Sequence, residues 1–244
     1  MNVLLELRGV AASDPARLSG VDLDLGPGEV LGLAGRHGAG KTTLGRLIAR
    51  LDPAGAGRMV LSGAEIGTIP PAAFARHRLR RSVQMVLSDA ATSLPPGESI
   101  ARTLHETRAR LCGPAGAEAA TEAAMTRAAF DPALAGRRPG ALSQGQAVRA
   151  ALARALIAEP RLLILDECFG ALDASARAEA LIALVRWQRD TGAALILIGH
   201  DIDLMRLACA RIAILDRGRI VETGETLRLL ADPRHPATRA LCGA

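Results

Sequence analysis

The chain has 244 residues, 49% of them hydrophobic and 23% charged, which is an ordinary globular composition with enough apolar material for one large α/β domain or a core plus a smaller lobe. No apolar run approaches the ~20 residues that span a bilayer, and the N-terminus carries Glu6 without a cleavable signal pattern. The net charge of +5 does not make a nucleic-acid binder: basic residues are spread along the chain, and their one cluster, Arg76 to Arg81, has no aromatics among it for base stacking and reads as a solvated helix face.

These features predict a cytoplasmic protein that works at a membrane only by docking to another subunit. The four scattered cysteines have neither zinc nor redox spacing and read as reduced thiols. Of thirty Lys and Arg residues only Lys41 is lysine, which suggests a site where a compact ammonium is needed and a guanidinium does not serve.

In chain order, Leu4 to Val10 and Gly20 to Leu25 read as strands, followed by the turn Gly26-Pro27-Gly28. Val30 to Ala34 is a buried strand running into a glycine-rich loop, and Lys41 to Arg50 is the helix after it. From Ile69 to Gly140, Pro70, Pro71, Pro95 and Pro96 interrupt the pattern, and Ala117 to Ala129 has helical composition. This places a helical lobe at about 88–140, between core segments at about 1–87 and 141–244. Helices at Ala147 to Ala158 and Ala174 to Arg189 and strands at Leu162 to Leu165, Ala193 to Ile198 and Arg211 to Leu215 complete an α/β fold with a mainly parallel sheet. No internal repeat is visible.

Three stretches carry chemistry. Gly35-Arg36-His37-Gly38-Ala39-Gly40-Lys41-Thr42 fits G-x-x-x-x-G-K-[ST] between an apolar strand and a helix. Its glycines let backbone amides wrap phosphates, Lys41 reaches the β- and γ-phosphates, and the Thr42 hydroxyl ligates Mg²⁺. Leu162 to Leu165 ends in Asp166 and Glu167: the first is suited to hold Mg²⁺, the second to act as general base on water. His200, just past an apolar strand and beside Asp201, suits a γ-phosphate sensor. Ser143, in Leu142-Ser143-Gln144-Gly145-Gln146, reads by itself as a helix N-cap able to face an anion.

Together these residues resemble the ABC ATPase family over nearly the whole chain. Leu142 to Gln146 parallels its signature LSGGQ, Gly170-Ala171-Leu172-Asp173 its D-loop, and His200 its switch histidine. The resemblance implies a P-loop cassette fold with an N-terminal antiparallel β portion and a helical lobe. It implies ATP and Mg²⁺ as ligands, with Gly35 to Thr43, Thr43 included, on the nucleotide and Thr42 and Asp166 on the metal. Glu167 and His200 would be catalytic. Ser143, Gln144, Gly145 and Gln146 would face the ATP of a second cassette subunit, with Asp173 beside them. Permease subunits in the membrane are further partners, and a solute-binding protein is an indirect one.

The runs "RSVQMVLSDAATSLPP" and "DPRHPATRAL" are similar to those of oligopeptide, dipeptide and nickel importer ATPases. Three departures stand out. The Q-loop position is Ser88, with Gln84 matching a different glutamine of the motif. Ala11 to Ala16 has no aromatic to stack on adenine, although Arg17 can stack instead. Gln144 replaces a glycine, and Cys168 a proline. The expectation is an active subunit in a heterodimer. A degenerate nucleotide-binding partner and an accessory protein of a carbon–phosphorus lyase complex are the alternatives.

Overall fold

The computed structural model describes residues 3–170 and 172–243. Along the chain run β1 (Leu5–Ala12), β2 (Val21–Leu25), β3 (Val30–Ala34), α1 (Lys41–Ile48), β4 (Ala54–Leu61), β5 (Ala64–Glu65), α2 (Pro71–Phe74) and β6 (Val83–Val86). There follow α3 (Ile100–Cys112), α4 (Ala117–Arg127), α5 (Gln144–Leu156), β7 (Leu162–Asp166), α6 (Ala174–Thr191), β8 (Ala194–Gly199) and α7 (Ile202–Ala208). β9 (Arg211–Asp216), β10 (Arg219–Glu225), α8 (Thr226–Ala231) and α9 (Pro236–Cys242) complete the chain.

The chain divides into two compact units, residues 1–77 with 194–244, and residues 78–193. The first holds two sets of strands. The antiparallel set runs β2-β1-β4-β5. Leu5 and Leu7 of β1 face Leu25 and Leu23 on one side and Leu61 and Met59 on the other, and all six are buried. The alternate residues point outward and pair charges, as between Arg8 and Asp24 at 2.6 Å. In the other set β3 lies between β8 and β9, parallel to both, and β10 returns antiparallel on β9. A strand flanked on both edges and both faces is apolar throughout, which is why β3 reads as a continuous run.

The second unit contains the parallel pair β6 and β7, registered Val83 to Leu162 and Val86 to Leu165 and wholly buried. Helix α5 packs on β6 and against α3 and α4, and α4 also meets α6. The 88–140 stretch supplies α3 and α4.

Several boundaries differ from the sequence expectation. Helix α5 begins at Gln144 and not Ala147, because Ser143 caps it: the Ser143 hydroxyl accepts from the Gln146 amide at 3.3 Å and the Gln146 side chain accepts from the Ser143 amide at 2.9 Å. Strand β4 was not expected, since its first half, Ala54 to Gly57, lacks β-formers. Pairing with β1 creates it, and any Cβ at Gly57 would come 2.5 Å from the Gly9 carbonyl oxygen.

Candidate functional site

In the first unit the loop from Gly35 to Gly40 joins β3 to α1. Gly38 and Gly40 have φ of +79° and +104°, a region L side chains rarely adopt. The loop is clamped from behind. A Cβ at Gly35 would lie 2.3 Å from the Leu215 carbonyl oxygen, and one at Gly40 would lie 2.4 Å from that of Arg17. The Gly218 amide donates to the Ala39 carbonyl at 2.9 Å, and the Ser19 amide donates to that of Gly218, also at 2.9 Å. Sequence reasoning missed these supports; the one available signal was the glycine of Arg217-Gly218 just past β9.

Lys41 opens α1 and is 5% exposed. Its Nζ donates to the carbonyl oxygens of Gly35 at 2.9 Å and Arg36 at 3.1 Å, which curls the loop around the ammonium. Neutral carbonyls are weaker acceptors than a phosphate oxygen, so this tether suits anion capture. Arg36, His37, Gly38 and Thr42 are exposed, Thr43 and Gly40 are half-buried and Ala39 is buried. The segment that would flank a base is a tight turn. The Ala16 amide donates to the Asp14 carboxylate at 3.0 Å, and the exposed Arg17 guanidinium lies 3.7 Å from the same carboxylate. Arg17 thus adjoins the glycine loop through its own backbone. His200 is exposed immediately after β8, and its neighbour Asp201 is taken up capping α7, accepting from the Leu204 amide at 2.9 Å.

In the second unit β7 delivers Asp166, 2% exposed, at its last position. Glu167 follows with φ +49°, a left-handed conformation uncommon outside glycine, and its side chain is half-buried. Cys168 is buried at 1% exposure; desolvation, with Asp166 nearby, pushes its thiol up to about 12, so it packs and does not react. Ser88 is exposed two residues beyond β6. Gln84 is buried in β6 with its amide donating to the Arg80 carbonyl at 2.8 Å, which ties it to packing.

Ser143, Gln144, Gly145 and Gln146 form the first turn of α5 and line a cleft of about 400 Å³ with Arg149, Leu172 and Asp173. Gln144 occupies a helical position, where no positive φ demands glycine. Gly145 packs closely, since a Cβ there would be 3.3 Å from Leu172 Cδ2. Asp173 caps α6 by accepting from the Ala176 amide at 2.8 Å, and Ala171 lies outside the described residues. Arg149, a basic residue of the helix after the signature run, lines the cleft and is held in place by donating to Glu179 at 2.6 Å and to the Ala129 carbonyl at 3.2 Å. The chemistry available there is a helix N-terminus, whose exposed amides suit an anion, beside an Arg149 already paired with Glu179.

A buried strand of a parallel set, a glycine loop with its lysine curled inside, and a following helix define a P-loop nucleoside-triphosphatase cassette of the α/β class. The chain belongs to the ABC transporter family, whose description matches residues 18–170. Among curated proteins, the glutathione import ATP-binding protein GsiA of Escherichia coli K12 is 37% identical over 227 residues, covering 92% of this chain. The chain spans only 36% of GsiA. The methionine import ATP-binding protein MetN of Cupriavidus necator H16 is 34% identical, over 98% of this chain and 70% of that protein.

Among solved structures, the dimeric post-hydrolysis state of the ATP-binding cassette MJ0796 bound to ADP and Pi has a TM-score of 0.81 at 22% identity. That match covers 91% of this chain and 98% of that one. CbiO1 from Clostridium perfringens, part of the transporter complex cbiONQ, gives 0.81 at 24% identity, over 95% and 92%. These likenesses establish the fold. No helix among the described residues is long and apolar enough to cross a membrane.

Proposed function

We propose that the chain is the ATP-binding and ATP-hydrolysing subunit of an ABC importer of the peptide or nickel type, working as half of a cassette dimer. The observation that carries the reading is the clamped glycine loop with Lys41 buried at its centre, in a chain 37% identical to an import ATP-binding protein. Glutathione, the cargo in that relative's name, is itself a tripeptide, which agrees with the peptide-type runs at Arg81 to Pro96 and Asp232 to Leu241.

In this mechanism the amides of Gly35 to Thr43 and the Lys41 ammonium bind and orient the triphosphate of ATP. Thr42 and Asp166 would hold Mg²⁺, an ion that takes few protein ligands and relies on substrate phosphates for others. Held there, the ion would supply positive charge to offset that of the phosphates. Glu167 accepts the proton of the attacking water, and His200 senses the γ-phosphate. Ser143, Gln144, Gly145 and Gln146, with Asp173 beside them, face the ATP of a second cassette subunit, so that each nucleotide is sandwiched head to tail. ATP favours the closed dimer because it contacts both subunits there, and hydrolysis releases them. Permease subunits, served by a solute-binding protein, receive that motion while the cassette lies at the inner face of the membrane. On this reading the core is the segments at about 1–87 and 141–244 and the helical lobe the segment at about 88–140.

Ser88 and the aromatic-free turn before Arg17 favour one variant, a degenerate subunit that binds nucleotide and lends its signature turn while hydrolysing poorly. Single-turnover hydrolysis in the purified complex separates the two. For an active subunit, Glu167→Gln silences its own site and Ser143→Arg silences the partner's. If Glu167→Gln changes nothing while Ser143→Arg is damaging, the active-subunit reading is wrong.

A further inference from the structure

Two helix faces frame the cleft at the start of α5. Gly145 and Arg149, four residues apart, share one face of α5, and Asp173, Ala176 and Glu179, at three-residue spacing, share one face of α6. All but Glu179 line the cleft. At the first turn α5 comes close to the segment before α6, since a Cβ on Gly145 would lie 3.3 Å from Leu172 Cδ2. One turn further along, Arg149 Nη2 donates to Glu179 Oε2 at 2.6 Å and Arg149 Nη1 donates to the Ala129 carbonyl at 3.2 Å.

Ala129 follows α4 in a left-handed conformation, φ +50°, and α4 packs on both α5 and α6. One guanidinium thus ties together the end of α4, the signature helix α5 and the helix α6 that Asp173 caps. A planar fork holds both bonds at fixed angles, which the point charge of a lysine does not. Because Glu179 offsets its charge, Arg149 acts on a ligand in the cleft by placing α5 rather than by its own field.

What it places is a small set of donors. The amides of Ser143 and Gln146 are taken up in the capping box. The Ser143 hydroxyl proton and the amides of Gln144 and Gly145, the first two of the helix, remain to meet an oxyanion. Donors of this kind lose most of their effect when displaced by about 1 Å.

Resting on the head-to-tail cassette dimer, we propose that Arg149, through Glu179 and the Ala129 carbonyl, is a positioning residue for hydrolysis in the second subunit's site. It sets the angle at which the turn of Ser143 to Gln146 meets that subunit's ATP. Its loss slows the rate at saturating ATP and leaves half-saturation nearly unchanged. The second subunit's own loop still binds the triphosphate, and only the donors added on closure are misplaced.

The test is ATP hydrolysis by the purified complex in which this chain carries Glu167→Gln, so that the remaining turnover belongs to the second subunit's site. Arg149→Gln, Glu179→Gln, the two together, Arg149→Lys and Ser143→Arg are added in turn, and the melting temperature of each variant checks its folding. In Arg149→Gln the saturating rate is expected to fall about ten- to a hundredfold, with half-saturating ATP within about twofold of the parent. Glu179→Gln lowers the rate too but adds nothing once Arg149 is replaced, and Arg149→Lys recovers part of the loss. If Ser143→Arg stops the remaining turnover while folded Arg149→Gln and Glu179→Gln leave it unchanged, the positioning role is wrong and the dimer stands. Losses that add in the double variant also overturn the proposal, because the two residues then do not act as one bridge. If Ser143→Arg is harmless, the head-to-tail reading fails and the positioning role falls with it. Should Arg149→Gln fail to fold, Glu179→Gln carries the test, since Glu179 is exposed. Should Glu167→Gln alone leave no turnover, ATP-driven association of the two subunits is measured instead, and association that Arg149→Gln leaves unchanged contradicts the assignment.

Discussion

Replacing Gly40 by alanine separates the clamped loop from a merely flexible one. Gly40 sits at φ +104°, and an added Cβ would approach the Arg17 carbonyl oxygen to 2.4 Å, a backbone atom that cannot swing aside. The left-handed conformation costs roughly 1–2 kcal/mol for a side chain, and forced displacement of packed backbone costs about 1–3 kcal/mol. Against these, alanine recovers about 0.4–1 kcal/mol by restricting the unfolded chain. The net loss is about 2–4 kcal/mol, or about 5–15 °C in melting temperature for a chain of this size. Gly38→Ala is the matched control: its φ is +79° but nothing lies within 4 Å of the new Cβ. It carries the strain alone and loses under about 1.5 kcal/mol. Thermal and urea unfolding of both variants, with ATP affinity measured alongside, gives the comparison. Gly40→Ala is expected to lose clearly more stability and more affinity. Equal losses in the two variants, or a stabilised Gly40→Ala, would refute the clamp formed by Arg17, Leu215 and Gly218.

A thiol reagent at pH 8 should label the half-buried Cys112 and Cys242 in the native chain, and Cys168 and Cys209 only after unfolding. Burial pushes the latter pair up to about 12 from 9.0, so the stability they confer is complete below pH 9 and lost as pH rises toward 12; a denaturation midpoint flat across that range would contradict their burial. ATP and GTP should bind with similar affinity, because base stacking worth on the order of 1–3 kcal/mol has no aromatic to supply it; a strong preference for ATP would point to Arg17. Ser88→Gln should raise turnover if the exposed serine limits hydrolysis, and unchanged turnover would remove Ser88 as the cause.

The buried parallel strands were legible because both their faces are covered, which leaves an unbroken apolar run such as Leu162 to Leu165. Strands β4 and β10 were not, since Ala54 to Gly57 and Arg219 to Glu225 have little apolar periodicity and owe their form to pairing with β1 and β9. The true start of α5 was written as Ser143-x-x-Gln146, a capping box that was read only as an N-cap. The glycine loop was legible as a motif, but its rigidity was not, because Arg17, Leu215 and Gly218 come from distant segments. Arg80 reads as one of several surface cations in the sequence, but unlike the exposed Arg81 it is half-buried, with its Nη1 donating to the Val83 carbonyl at 2.9 Å.

The most direct measurement is ATP binding and turnover by the wild-type chain, alone and in its complex, beside Lys41→Ala. Lys41 is the one ammonium side chain in the sequence and it lies at the centre of the loop. The account predicts that Lys41→Ala keeps the folded state while ATP binding or hydrolysis at this subunit is abolished. Equal affinity and equal turnover in the two proteins would contradict it.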